Sequence, residues 1–377
     1  MARWSPRLGS LRRAPRRRIL DEERTDEELM VKILRFLLPG LGLLLLGYLI
    51  GTLGLGEILS NLAVMKWAFP LVLLLATGWH VTNSIAWSFA FPSGAFRPGL
   101  LTLIRAKLAG EAVNQLTPLA NLGGEPLKAF LLRHQSPTSR GLASVVINKT
   151  GQVFTGLAFT AIGLLLVVLH WELPQALPVP VQGGLLALFC FAALLLVLMV
   201  RKQRHMFTSL LNFLKRFGLH LEALESRMAK AVRIDENISR FYRESKGRFC
   251  LVMLFHAAGW MLGACETFVI LRALGAPIAF DVAFLITALT LLINSLFFFM
   301  PSNIGVLEGG QVFLFLTLGL DPAMGLSLGI IKRMRKIFWI GLGWLFLAQL
   351  SRSFHSMTAF PSTDDSTMGV VSRGEAS

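Results

Sequence analysis

Glu125 and Glu308 are the residues with which chemistry could begin. Each stands seven positions after a proline, Pro118 and Pro301, in an otherwise apolar stretch. The first stretch carries Asn114, Pro118, Asn121, Gly123, Gly124 and Glu125, with Lys128 just beyond. The second carries Asn294, Pro301, Asn303, Gly305 and Glu308, followed by Gly309 and Gly310. Proline and glycine break helices, and a carboxylate is costly in hydrocarbon. Paired broken segments in the two halves of a membrane protein point to a transported-substrate site. There, carboxylates would engage cationic or hydroxylated groups, and asparagine amides would replace lost water. Helix N-termini beginning near 124–128 and 309–312 could hold an anion within one cavity. The alternative is a pair of kinked helices, with the glutamates in structural ion pairs and the asparagines capping freed backbone groups.

A basic cluster, Lys332, Arg333, Arg335 and Lys336, interrupts the last apolar stretch. On a helix, 332, 335 and 336 share a face and 333 lies to one side. Arginine suits bidentate phosphate contacts. The cluster either neutralises Glu125 or Glu308, binds a lipid phosphate, or marks a cytoplasmic boundary. Asn148, Lys149 and Gln152 lie near the start of a span. Glu266 needs a partner that the sequence does not identify, and His80 with Asn83 reads as an interhelical pair. Catalytic patterns fail. No Gly-Lys dipeptide occurs, which excludes a P-loop; neither a His-Glu zinc motif nor Cys-x-x-Cys occurs either. Gly325-Leu-Ser327-Leu-Gly329 spells a nucleophile elbow, but in an apolar helix it fits small-residue packing instead. No enzyme activity, cofactor or metal is expected.

The elements that must position these residues are membrane helices. The chain is 54% hydrophobic, with a mean hydropathy of +0.61. Residues 36–56, 67–96, 173–200 and 282–307 carry no charge. Each is long enough to cross a hydrocarbon core of about 30 Å as a helix. Residues 141–171, 249–271 and 322–350 add weaker spans. The fold class is therefore all-α: a polytopic bundle of about seven or eight transmembrane helices with two re-entrant or broken segments. The net charge of +15 does not indicate nucleic acid. Ten of the 37 Lys/Arg lie in residues 1–35 and twelve in 201–248, a positive-inside pattern that puts both segments in the cytoplasm. The crossings between them come out even if residues 104–133 dip in and return. Residues 1–35 read as a cytoplasmic arm, 36–351 as the membrane domain and 352–377 as a disordered tail. Residues 201–248 read as a helical insert, lying on the anionic surface or connecting the bundle halves. Cys190, Cys250 and Cys265 fall in apolar spans and read as buried thiols.

The run from Ala112 through Asn114, Pro118 and Gly123-Gly-Glu125-Pro-Leu-Lys128 resembles the flippase-like family defined by the membrane domain of lysylphosphatidylglycerol synthases. Pro301-Ser-Asn303-Ile-Gly305-Val-Leu-Glu308-Gly-Gly310 is similar to that family's second signature, and the Gly-Leu-Asp-Pro322 turn and basic helix also fit. The wording is closest to the hopanoid-associated branch. The resemblance implies a bacterial inner-membrane protein, N-terminus cytoplasmic, that binds or moves a polar-headed lipid, with a lipid-synthesising enzyme as a possible partner. It carries Glu125 and Glu308 over as motif carboxylates and Lys332 and Arg333 as the basic helix. Where the family often has an acidic-basic pair, this chain has Asn148-Lys149. The expected function is lipid translocation. The rivals are a membrane-embedded enzyme acting on lipid-linked sugars or isoprenoids, and an accessory lipid-binding subunit.

Overall fold

A computed structural model describes residues 55–92, 97–116, 123–170, 223–297 and 305–358, together with positions 183, 187, 190 and 194. The expected first span, most of the span at 173–200, the arm and most of the tail lie outside them. So do Pro118, Asn121, Pro301 and Asn303. The described residues form helices and no strand: α1 Leu55–Val64, α2 Phe69–Phe89, α3 Leu100–Leu116, α4 Gly124–Leu131 and α5 Thr138–His170. The second part of the chain adds α6 Ala223–Glu244, α7 Lys246–Ala273, α8 Phe280–Leu296, α9 Val306–Thr317 and α10 Pro322–Thr358. Three of them are long and apolar enough to cross a membrane: Phe69–Phe89, Thr138–Leu166 and Lys246–Ala273. Phe280–Leu296 and Val306–Thr317 are shorter apolar helices. This is a polytopic helical membrane protein.

The helices repeat. A long helix, a broken pair and a second long helix (α2, α3/α4, α5) recur as α7, α8/α9 and α10. Counterparts start 177 residues apart for Phe69 and Lys246, rising to 184 for Thr138 and Pro322. The contacts repeat too. α2 packs on its own counterpart α7, α3 packs on α10, and α8 packs on α5.

The two halves are inverted. A Cβ on Gly78 would sit 3.0 Å from Leu262, one on Gly259 would sit 2.7 Å from Asn83, and Phe89 stacks 5.8 Å from Phe255. Arg248 donates to the Phe91 carbonyl. Rising numbers on α2 thus meet falling numbers on α7, so equivalent helices run antiparallel. Small residues set the other two seams. Gly343 of α10 lies against the Leu108 carbonyl and Ala112 of α3; Gly163 and Gly156 of α5 lie against Ala288 and Leu291 of α8. Small residues let helix backbones approach closely where apolar lipid gives no hydrophobic drive to association.

Two apolar cores close the opposite ends. One joins Trp87 and Phe91 after α2, Leu103 at the start of α3, Leu131 at the end of α4 and Ile147 of α5. The other joins Val72 near the start of α2, Leu271 at the end of α7, Val282 at the start of α8, and Phe315 and Leu328 where α9 gives way to α10. Trp87 Nε1 donates to Ser144 Oγ at 3.1 Å, so the chain leaves α2 and enters α5 at one level. The α3/α4 hairpin between them therefore enters and returns from that end, and α8/α9 does the same from the other. The helix of the polar insert, α6, lays Ile234, Ile238 and Phe241 into the first core, as their three- and four-residue spacing allows.

Candidate functional site

Two backbones touch in the first hairpin. A Cβ on Gly124 would overlap the Gly110 carbonyl, so only glycine permits this crossing of α4 over α3. The Gly124 N–H donates to Asn114 Oδ1 at 2.5 Å, which satisfies a group freed by the helix break. Asn114 Nδ2 then reaches Glu125 Oε1 at 3.4 Å, and Lys128 Nζ donates to the same oxygen at 2.9 Å. Lys149 of α5 approaches it to 4.0 Å and is 43% exposed, while Glu125 is 14% exposed.

These residues line a cavity of about 260 Å³. α2 contributes Trp79, His80, Asn83 and Trp87; α3 contributes Lys107, Glu111 and Asn114; α5 contributes Asn148, Lys149 and Gln152. α10 closes the wall with Arg335, Lys336 and Trp339. Lys107 Nζ bonds Glu111 Oε1 at 2.8 Å and His80 Nδ1 at 2.9 Å, and lies 4.4 Å from the centre of the Trp79 ring. Behind the wall, His256 of α7 joins Asn83 at 2.8 Å and Asn148 at 2.9 Å. It thereby ties α2, α5 and α7 together. Replacing it with leucine should destabilise the fold by about 2 kcal/mol, since two amides lose a buried partner. Thermal unfolding in detergent checks this, and His256→Gln should cost less.

The second hairpin is closed. α9 begins at Val306, earlier than the N-terminus expected near 309–312, because Glu308 caps it. The Gly305 N–H donates to Glu308 Oε2 at 2.9 Å, and Gly305 takes φ +77°, a conformation suited to glycine. Gln311 Nε2 donates to Thr290 Oγ1 at 2.7 Å. Glu308 is fully buried and paired with Arg333.

The structure therefore brings Asn114, Gly123, Gly124, Glu125 and Lys128 together, and places Asn294, Gly305, Glu308, Lys332 and Arg333 around the other hairpin. One cavity bounded by both segments is not what the described residues form. The basic helix serves both sides. Lys332 donates to Thr267 Oγ1 at 2.9 Å, Arg333 holds Glu308, Arg335 holds Glu266, and Lys336 enters the cavity. Lys107, Glu111, Trp79 and Trp339 were not singled out from the sequence. The signal available was the four-residue spacing of Lys107 and Glu111 in an apolar run.

Among the described residues, no group of His, Cys, Asp or Glu is arranged to hold a metal. An inverted helical bundle with two broken hairpins and a charged cavity beside one of them defines the class: a polytopic membrane protein built around a polar interior site. The family described as the lysylphosphatidylglycerol synthase TM region matches residues 32–343, and the chain belongs to it. A UPF0104 membrane protein of Methanothermobacter thermautotrophicus is 24% identical over 309 residues, covering 80% of this chain and 90% of that one. Another, of Pyrococcus horikoshii, is 22% identical over 274 residues, covering 68% and 78%. No solved structure matches.

Proposed function

We propose that this protein binds the polar head group of a membrane lipid in the α2–α5/α10 cavity and carries it across the bilayer. One observation carries the reading: the cavity wall has five bases, Lys107, Lys128, Lys149, Arg335 and Lys336, against two acids, Glu111 and Glu125, and of the five Arg335 is matched from behind the wall by Glu266. Glu111 holds Lys107 and Glu125 holds Lys128. Lys149 is left at 4.0 Å from its carboxylate, and Lys336 makes no ion pair among the described residues. A phosphate supplies what these ammonium groups lack. Asparagine amides and Trp339 suit the rest of a head group. The volume falls just under the roughly 300 Å³ at which small-molecule pockets begin. That is room for a head group, with the acyl chains left in lipid. Without such a site, each unpaired polar group entering hydrocarbon costs about 2–7 kcal/mol.

The test uses purified protein in vesicles containing fluorescent phosphatidylglycerol, with bleaching of the outer leaflet by a membrane-impermeant reductant. The expected result is protein-dependent exchange between leaflets, slowed about tenfold in Lys149→Met/Lys336→Met, the loss that 1.4 kcal/mol of binding produces. Unchanged exchange in that variant would remove the cavity from the mechanism. Chemical conversion of the lipid in detergent would favour the embedded-enzyme reading instead.

A further inference from the structure

Matching the two repeats by helix position and by their glutamates pairs the open hairpin with the closed one. Asn114 and Asn294 are both the fifteenth residue of their helices, and Lys149 and Arg333 both the twelfth of theirs. Glu125 and Glu308 both sit in the first turn after the break. Lys128 corresponds to Gln311, and Gln152 to Lys336. The ion pair between hairpin and long helix is thus present twice, in two states. Glu125 and Lys149 stand 4.0 Å apart, with the lysine 43% exposed. Glu308 and Arg333 are in direct contact, with the arginine 19% exposed and the glutamate fully buried, against 14% for Glu125. The closed side also contains an orphan. Gln311 Oε1 is buried with no hydrogen-bond partner among the described residues, a costly position for a polar atom.

We propose that the Glu308–Arg333–Gln311 cluster is the shut form of a second head-group site, equivalent to the open cavity and reached from the opposite end of the bundle. The two sites open in turn. The ligand is the same phosphate-bearing head group, so the identity of the cargo rests on the function proposed above. Arg333 supplies a bidentate phosphate donor where the first site has Lys149. Gln311 gains a partner when the cluster opens. Arg333 and Lys336 are three residues apart on α10, about 4.5 Å along the axis at 1.5 Å per residue. A head group released from one site is therefore within a helical turn of the other. Repeats related by inversion are suited to such exchange, because swapping the conformations of the two halves turns one end's opening into the other's.

The experiment reads both sites in one protein. In the full chain with Cys190, Cys250 and Cys265 replaced by serine, single reporters Gln152→Cys and Gln311→Cys are labelled with a water-soluble maleimide. Gln152→Cys should react readily and Gln311→Cys slowly. Adding Glu308→Gln/Arg333→Gln removes the ionic lock while leaving an acceptor for the Gly305 N–H. The Gln311→Cys rate should then rise about tenfold, and the Gln152→Cys rate should fall. Arg333→Lys, which keeps the charge and loosens the pair, should move both rates the same way by less. A rise at 311 alone, a rise at both positions or no change would each overturn the proposal, leaving the pair as a brace. The labelling needs no added lipid. Opposed rates without lipid exchange in wild-type vesicles would count against the cargo, and lipid exchange without opposed rates would count against the second site.

Discussion

Arg335→Met should be among the most destabilising single substitutions in this protein, with a loss of about 3–5 kcal/mol, the range found when one partner of a buried ion pair is removed. Arg335 reaches across from α10 to Glu266, whose side chain is 2% exposed in α7. Without the guanidinium, that buried carboxylate loses the cation it contacts and keeps only the more distant charge of Lys332. The loss should belong to the stranded charge rather than to the missing contact. Glu266→Leu/Arg335→Met should therefore recover most of the stability, because an apolar pair of similar volume is often neutral or better. Chemical unfolding in detergent of the two single variants and the double variant measures this. A double variant no better than Arg335→Met would show that arginine acts by packing alone.

Gly124→Val should collapse the open site. Its Cβ would occupy the space of the Gly110 carbonyl, and both contacts are backbone, so no side chain can rotate away. Ordinary overpacking costs about 1–3 kcal/mol, and a clash between two backbones should reach or exceed the upper end. The hairpin must part, which breaks the Gly124–Asn114 hydrogen bond and carries Glu125 and Lys128 out of the cavity wall. Gly341→Ala is the control, since a Cβ there meets nothing within 4 Å. It should be neutral or gain up to about 1 kcal/mol from helix propensity. Unfolding midpoints and lipid retained through purification should both fall for Gly124→Val and hold for Gly341→Ala.

The bundle was legible because hydropathy and length are local properties. The breaks were legible because proline and glycine are local signals that act on their own backbone. The start of α9 was not. Gly309 and Gly310 read as helix breakers, yet they lie inside the helix, where Gly310 lets Ile293 approach to within 3.0 Å of an added Cβ. Tertiary packing there outweighed a weak local preference. The carboxylates were found from their cost, and their partners were not. Arg335 lies 69 positions from Glu266, and no local pattern records a meeting between α7 and α10. Lys107 and Glu111 stand four residues apart in an apolar run, a pattern that does not reveal whether such a stripe faces water, lipid or a cavity. The inversion escaped notice because its traces are matched helix positions spread over about 180 residues, with little shared wording beyond the two breaks.

The seam between α3 and α10 also bears on how the protein is made. The cavity's walls come from α2 to α5 and from α10, the last of the described helices. Arg105 meets Phe346, and Leu108 meets Gly343, across more than half the length of the sequence. Contacts so distant in sequence form late, after the entropy of closing a long loop has been overcome. A nascent chain that has threaded its first half into the bilayer thus holds Lys107, Lys128 and Lys149 with one wall missing. Synthesis and assembly of this site end together, when α10 arrives.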